Sequence, residues 1–270
     1  MPDACLLILL GLFIGAFSTL IGSGGGFILT PVLMLIYPDL SASAITSISI
    51  TVVLLNATSG SFSYNRMRRI DYKSALIFLS ASIPGTLIGT LATGMIPRHA
   101  FNTIFAMTLV AIGLFMLRQP AKKDQTNNET RGLMVDRRVT SVDSVTYDFS
   151  YSLIKGVLIS FSIGLISGLL GIGGGILHVP AIVSFLNFPL QVATATSFFM
   201  LMVTAVIGTV MHVAHGDLNN LWSTAILIGA GVVFGAQVGA HYSQIVRAKW
   251  IVRGIAAALL LTAIRLLFIS

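Results

Sequence analysis

Gly15-Ala-Phe-Ser-Thr-Leu-Ile-Gly-Ser-Gly-Gly-Gly-Phe-Ile-Leu-Thr-Pro31 and Gly164-Leu-Ile-Ser-Gly-Leu-Leu-Gly-Ile-Gly-Gly-Gly-Ile-Leu-His-Val-Pro180 are two versions of one seventeen-residue stretch. At an offset of 149, eight of the seventeen positions are identical. Each version interrupts a long apolar run, 4–37 in the first half and 151–188 in the second, with a cluster of glycines. Neither run fits a single spanning helix, which needs about 20 residues. The pieces after the glycines, 27–37 and 176–188, are too short to be ordinary spans. Their length predicts a broken or re-entrant helix in each half.

The likeness continues outward from the glycines. At an offset of 150, Thr46-Ser47 answers Thr196-Ser197, and the GxxxG pair Gly85 and Gly89 answers Gly235 and Gly239. GxxxG steps let helix backbones approach closely. A glycine run at the same place in two apolar halves is the signature of a duplicated transporter-like unit. Eight apolar segments are expected, at 4–37, 42–64, 74–96, 99–118, 151–188, 190–214, 221–243 and 249–269. The first lacks a basic leader, so residues 4–21 are expected to be a mature helix and not a cleaved signal.

Composition agrees. Charged residues make up 9 % of the 270 and hydrophobic ones 55 %, with 26 glycines. A soluble domain carries about 25 % charge. These values exclude a cytosolic enzyme, a disulfide-built secreted domain and a disordered tail. The single Cys5 leaves no intrachain disulfide and no CxxC site. The net charge of +7 lies between apolar runs, not on a folded face, so it reads as a topology signal and not as a nucleic-acid surface.

Ten charges, five basic and five acidic, fall between Gln119 and Ser150. This stretch is read as a solvated linker, partly disordered, between repeat 1 (4–118) and repeat 2 (151–269). The turn after the second segment holds Arg66, Arg68, Arg69 and Lys73, whereas its counterpart near Gly216 holds no Lys or Arg. The turn after the seventh segment holds Arg247, Lys249 and Arg253, against Arg98 alone in the first half. If basic turns face the cytoplasm, equivalent turns lie on opposite sides. The expectation is an all-α polytopic membrane protein of two inverted repeats, in the cytoplasmic membrane, with the linker inside.

Backbone N–H groups at a glycine-opened helix start, with the helix dipole behind them, form an anion site. That makes Gly22, Ser23, Gly24, Gly25 and Gly26, with Gly171, Gly173, Gly174 and Gly175, candidate binding positions. Thr46, Ser47, Thr196 and Ser197 offer neutral donors. Asn56 and His178 are second-rank candidates. Ser49, Asn56, Ser59 and Ser63 share a stripe of one helix, and Thr204, Gly208 and His212 share one of another. The alternative readings are that the glycines serve only tight helix crossing, and that Ser and Thr bond carbonyls of their own helices. His178 has Leu29 as its counterpart, so it breaks the symmetry.

No Asp or Glu falls in the middle of a span, which argues against a cation pump or a carboxylate relay. Histidines are left as the proton candidates, with His178 the one beside the glycines. His212-x-x-His215 with Asp217 is a weak metal pattern. No dinucleotide fingerprint, Walker lysine or nucleophile elbow accompanies the glycines, so no cofactor, resident metal or enzymatic activity is expected.

The paired glycine stretches with their prolines, the elements Ala44–Ser47 and Ala195–Ser197, and the basic turn with Asp71 together resemble the TauE/SafE family of sulfite/organosulfonate exporters. The resemblance covers about residues 5–269. It implies a transporter of small sulfur-containing anions such as sulfite or sulfoacetate. Ile172 stands where the first run has Ser23, so the two half-sites differ. The expected partners are a small anion and the lipid bilayer, with a homo-oligomer left open and nucleic acid excluded. The expected mechanism is alternating access, with the anion near midplane between the glycine breaks; the coupling ion is left open, with a proton through His178 as one hypothesis. A passive anion channel and a nickel/cobalt-like permease built on His212 and His215 are the rival readings.

Overall fold

A computed structural model describes residues 4–21, 23–118, 133–219, 221–242 and 263. Gly22, the first part of the linker, Arg247, Lys249, Arg253 and all of the segment 249–269 except Ala263 lie outside the described residues. The helices are α1 (Ala4–Ile21), α2 (Gly26–Ile36), α3 (Ala42–Arg66), α4 (Tyr72–Thr93) and α5 (Arg98–Arg118), then α6 (Leu153–Leu170), α7 (Gly175–Leu186), α8 (Leu190–Ala214) and α9 (Trp222–Tyr242). Between α5 and α6 lie two strands, β1 (Met134–Thr140) and β2 (Thr146–Ser152). Among the described residues five helices, α3, α4, α6, α8 and α9, are long and apolar enough to cross a membrane. Their outward faces carry exposed apolar side chains such as Leu76, Leu158, Val210 and Phe234, as a lipid-facing surface requires.

Local chemistry starts and stops these helices. Ser41 caps α3 by accepting from the Ala44 N–H, and Asp71 caps α4 by accepting from the Ser74 N–H. The two glycine runs break helices because their backbones turn left-handed. Gly25 has φ 88° before α2, and Gly174 has φ 47° before α7. A side chain at either position would meet the steric penalty that glycine escapes.

Glycine serves a different purpose at the helix crossings. A Cβ on Gly235 or Gly239 would run into the carbonyls of Leu12 or Ala16, so α1 and α9 touch backbone to backbone. Gly85 and Gly89 bring α4 against α6 in the same manner, at the carbonyls of Phe161 and Leu165. In both crossings the contacts climb in step along the two chains, so α1 runs parallel to α9 and α4 parallel to α6. Helices α3 and α8 are antiparallel: Gly208 lies against Ile50, and Gly60 against Phe198.

Chain direction then places the breaks. Helix α6 starts directly after β2 and runs to the second break. Helix α7 leads back, since Phe188 just beyond it lies 4.4 Å from Phe149 of the hairpin. So α6 and α7 enter and leave at the same end of the molecule, the end that carries the hairpin. Helix α2 leads instead from the first break toward the start of α3, at the opposite end.

The hairpin departs from the all-α expectation. The polar linker is not wholly unstructured, because residues 134–152 form an antiparallel pair with Arg137 opposite Phe149 and Val139 opposite Tyr147. Strand β2 alternates aromatic and polar residues with period two, Tyr147, Phe149 and Tyr151 on one face, and that face buries Phe149 and Tyr151 against Phe78, Phe188 and Ala193. The density of charge masks that alternation when composition alone is read.

Candidate functional site

The two glycine breaks meet. A Cβ on Gly26 would overlap the backbone of Ile172, and one on Gly24 would lie 3.6 Å from the Gly173 carbonyl oxygen. Val53 of α3 and Leu201 of α8 close the sides of the junction, each in contact with Gly173. Elements far apart in the chain therefore bring their exposed backbones to one place, with no side chain between them.

Both helix starts leave backbone N–H groups without an acceptor among the described residues, those of Gly24, Gly25 and Phe27 at α2 as well as those at α7. The N–H groups of Gly173, Gly174 and Ile176 donate to no acceptor among the described residues. His178 sits one turn into the same helix. A Cβ on Gly174 would lie 3.3 Å from both His178 Nδ1 and Ser167 Oγ, so these three residues surround one spot. His178 is only 5 % exposed, and its Nε2 has no hydrogen-bond partner among the described residues. Such a group is costly to bury unless something binds it. Sequence reading placed His178 beside the glycines, and the structure keeps it there.

Asn56 does different work from a free donor. Its Nδ2 donates to Ser18 Oγ and to the Gly24 carbonyl, both at 2.9 Å, and its Oδ1 accepts from Thr19 Oγ1 at 3.0 Å. All of this lies in the interior. Asn56 thus holds the first break in place. Ser23 is buried too, its N–H and hydroxyl both directed to the Ser18 carbonyl. A further link ties α2, α3 and the second break: Thr30 Oγ1 donates to Ser49 Oγ at 2.8 Å, and Ser49 Oγ donates to the Gly171 carbonyl at 2.8 Å. Ser18, Thr19 and Thr30 escaped the sequence reading because single hydroxyls in apolar runs carry no pattern.

The two Thr-Ser pairs are not brought together. Because α3 and α8 are antiparallel, the start of each lies against the end of the other. Thr46 lies beside Gly171 and faces His212, and Thr196 Oγ1 accepts from the Asp71 N–H at 3.0 Å. Twenty residues of helix from Thr46 to Arg66 amount to roughly 30 Å of axis. Thr46 Oγ1 also donates to the Ala42 or Ser43 carbonyl, and Ser47 Oγ to that of Ala44. Ser197 Oγ is buried with no partner among the described residues. The hydroxyl pairs therefore mark two ends of the α3–α8 pair, while the glycines mark its middle.

Each end has its own charged cluster. At the hairpin end, Asp71 is bonded by the Ser74 hydroxyl and lies 3.7 Å from Arg137, while Tyr151 donates to Ser74 Oγ at 2.9 Å. Arg69 pairs with Asp143 at 3.1 Å. At the other end, His212 Nδ1 meets Asp217 Oδ2 at 2.7 Å. The expected histidine pair is split: His215 Nδ1 donates to the Met211 carbonyl and is exposed, and His212 is buried. Among the described residues no three His, Cys, Asp or Glu side chains gather as a metal-binding group.

An apolar bundle with broken helices meeting inside it defines a polytopic membrane transporter. The model of the sulfite exporter TauE/SafE family matches residues 7–266, and the chain belongs to that family. It is a membrane transporter and not an enzyme. The chain is similar to the probable membrane transporter protein YunE of Bacillus subtilis, with 32 % identity over 269 residues covering 97 % of both chains. It is also similar to the probable membrane transporter protein ORF9 of a Sinorhizobium species, 27 % identical over 94 % of this chain and 89 % of the relative. A Methanocaldococcus jannaschii probable membrane transporter protein is 23 % identical over 90 % of this chain and 88 % of its own. No solved structure matches significantly.

Proposed function

We propose that the chain is a secondary transporter that moves a small sulfur-containing anion, sulfite or an organosulfonate such as sulfoacetate, by alternating access. The observation that carries this reading is the meeting of the two glycine breaks, with unpaired N–H groups and the buried His178 Nε2 at the start of α7. Donors without a carboxylate beside them, at the positive end of a helix, suit an oxyanion. The name of the family supports sulfite as the first candidate.

The two halves are inverted repeats in this reading, residues 4–118 and 151–269. Parallel pairing of α1 with α9 and of α4 with α6 supports it, as does the entry of the two broken elements from opposite ends. One half rocks against the other about the glycine junction. The hairpin end, with Arg66, Arg68 and Arg69, faces the cytoplasm.

The test is a thermal-shift screen of the purified protein against sulfite, sulfoacetate, sulfate, thiosulfate and Ni²⁺, followed by flux in proteoliposomes. Sulfite or a sulfonate is expected to stabilise the protein and to show saturable flux with counter-transport. Flux that never saturates would mean a channel. Stabilisation by Ni²⁺ alone, lost in His212→Ala, would mean a metal permease.

A further inference from the structure

The two ends of the α3–α8 pair are closed by different chemistry. At the hairpin end Asp71 and Asp143 face arginines, which stay charged at any physiological pH. At the opposite end the only basic partner of Asp217 among the described residues is an imidazole. His212 is 2 % exposed, while the Asp217 side chain is 23 % exposed and reaches solvent. His212 Nε2 faces Thr46 Oγ1 at 3.5 Å, and Thr46 lies directly against Gly171 at the second break. One line of contacts therefore runs from solvent through Asp217, His212 and Thr46 to the glycine junction.

We propose that His212 and Asp217 form a proton-binding site that holds the start of α3 against the end of α8 and releases it when the proton leaves. The role of this site in transport rests on the transporter reading above; the proton site itself does not.

The hydrogen-bond roles explain how it works. Thr46 has one hydroxyl proton, and the carbonyls of Ala42 and Ser43 take it. A doubly protonated His212 fits that arrangement: Nδ1–H donates to Asp217 and Nε2–H donates to Thr46 Oγ1. Every group is then satisfied, and the imidazolium lies beside a carboxylate. When the site loses a proton to solvent by way of Asp217, the neutral tautomer that keeps Nδ1–H donating to the Asp217 carboxylate is favoured, and Nε2 is left bare. Nε2 becomes an acceptor and competes with the Ala42 and Ser43 carbonyls for the single Thr46 proton. The hydroxyl must turn or the contact must open, and Gly171 loses its packed neighbour in the second case. Ser47 Oγ, which shares its proton between the Ala44 carbonyl at 2.7 Å and the Asp217 carbonyl at 3.4 Å, moves with it.

Among the described residues the groups that bear on His212 are few. The α8–α9 turn supplies Asp217, the end of α8 supplies His215, α3 supplies the hydroxyls of Thr46 and Ser47, and α4 supplies Thr90 one turn away at Gly208. Asp217 and His215 are the titratable ones among the described residues. His215 is exposed, and a charge on it opposes a charge on His212, so it broadens the response without creating it.

Hydrogen-exchange mass spectrometry on the full chain in lipid nanodiscs, from about pH 5.5 to about pH 8.5, tests this over the range where histidine titrates. After correction for intrinsic exchange, peptides covering 42–50 and 208–219 are expected to open about tenfold more at high pH, the size of one charge-assisted hydrogen bond. The transition should be flat in His212→Gln and in Asp217→Asn. Peptides of α4 and α6 report that both variants are folded, and Asp217→Asn, at the solvent side, serves if His212→Gln is not. A wild type with no pH response, or variants that keep the wild-type response, overturns the proposal. No transported substrate enters the measurement, so a failure of the sulfite reading would leave the result intact.

Discussion

Asn56 Nδ2 donates to the Gly24 carbonyl at 2.9 Å and so ties the middle of α3 to the first glycine break across 32 residues of chain. The same side chain engages Ser18 and Thr19. Asn56→Ala would leave these buried groups unpaired together. We expect a loss of roughly 2–3 kcal/mol, read as a lower melting temperature in detergent. Asn56→Gln, which keeps the amide but lengthens it, should fall between. A melting temperature unchanged in Asn56→Ala would show that water replaces the clamp.

The helix crossings predict a sharp contrast among glycines. Gly235 faces the Leu12 carbonyl with no room for a Cβ, so Gly235→Leu must push α9 off α1. The expected cost is at least about 1–3 kcal/mol. Gly94, after α4, has helical φ −65° and nothing nearer than 3.8 Å to an added Cβ. Gly94→Ala should therefore stabilise slightly, by about 0.4–1 kcal/mol. Equal melting temperatures for the two variants would contradict the crossing geometry.

Neighbouring arginines on β1 should behave differently. Arg137 is largely buried and lies 3.7 Å from the buried carboxylate of Asp71, with Nε 3.3 Å from Ser74 Oγ. Arg137→Ala leaves Asp71 with hydroxyl and N–H donors only, a loss of about 1–3 kcal/mol. Arg138 pairs with Asp148 in full contact with solvent, so Arg138→Ala should not change stability measurably. Limited proteolysis of the hairpin and thermal melting both report the difference.

His178 is the residue whose removal should separate binding from folding. Its Nε2 has no protein partner to lose among the described residues. His178→Leu, similar in volume, should leave the melting temperature close to wild type. Stabilisation by sulfite should weaken by about tenfold in apparent affinity, the worth of one hydrogen bond to a charged group. Unchanged sulfite binding in a folded His178→Leu protein would remove His178 from the site.

Much of the architecture is legible in the residues. The apolar segments correspond closely to α3, α4, α5, α8 and α9, and both long segments break at their glycines. His178 and the glycines share one neighbourhood, as their spacing suggests. The hairpin is hidden in the sequence because the consecutive charges Asp136, Arg137 and Arg138 of β1 resemble a solvated linker until Phe149 and Tyr151 are seen buried on the other strand. The Thr-Ser pairs were misplaced relative to each other because similar sequence in two halves does not say which end of the bundle each occupies.

What the sequence by itself determined is local. Hydropathy over about twenty residues sets which segments can enter lipid. A run of glycines sets where a helix can stop, since only glycine adopts φ > 0 without cost. Both effects act within a few residues, so they survive without knowledge of the rest of the chain. What only the tertiary structure decided is pairing at a distance. The antiparallel packing of α3 on α8 put Thr46 beside His212 and Thr196 beside Asp71. It also set the two glycine breaks against each other between Val53 and Leu201. Those neighbours are chosen by the fit of whole helix faces, and no single residue carries that information.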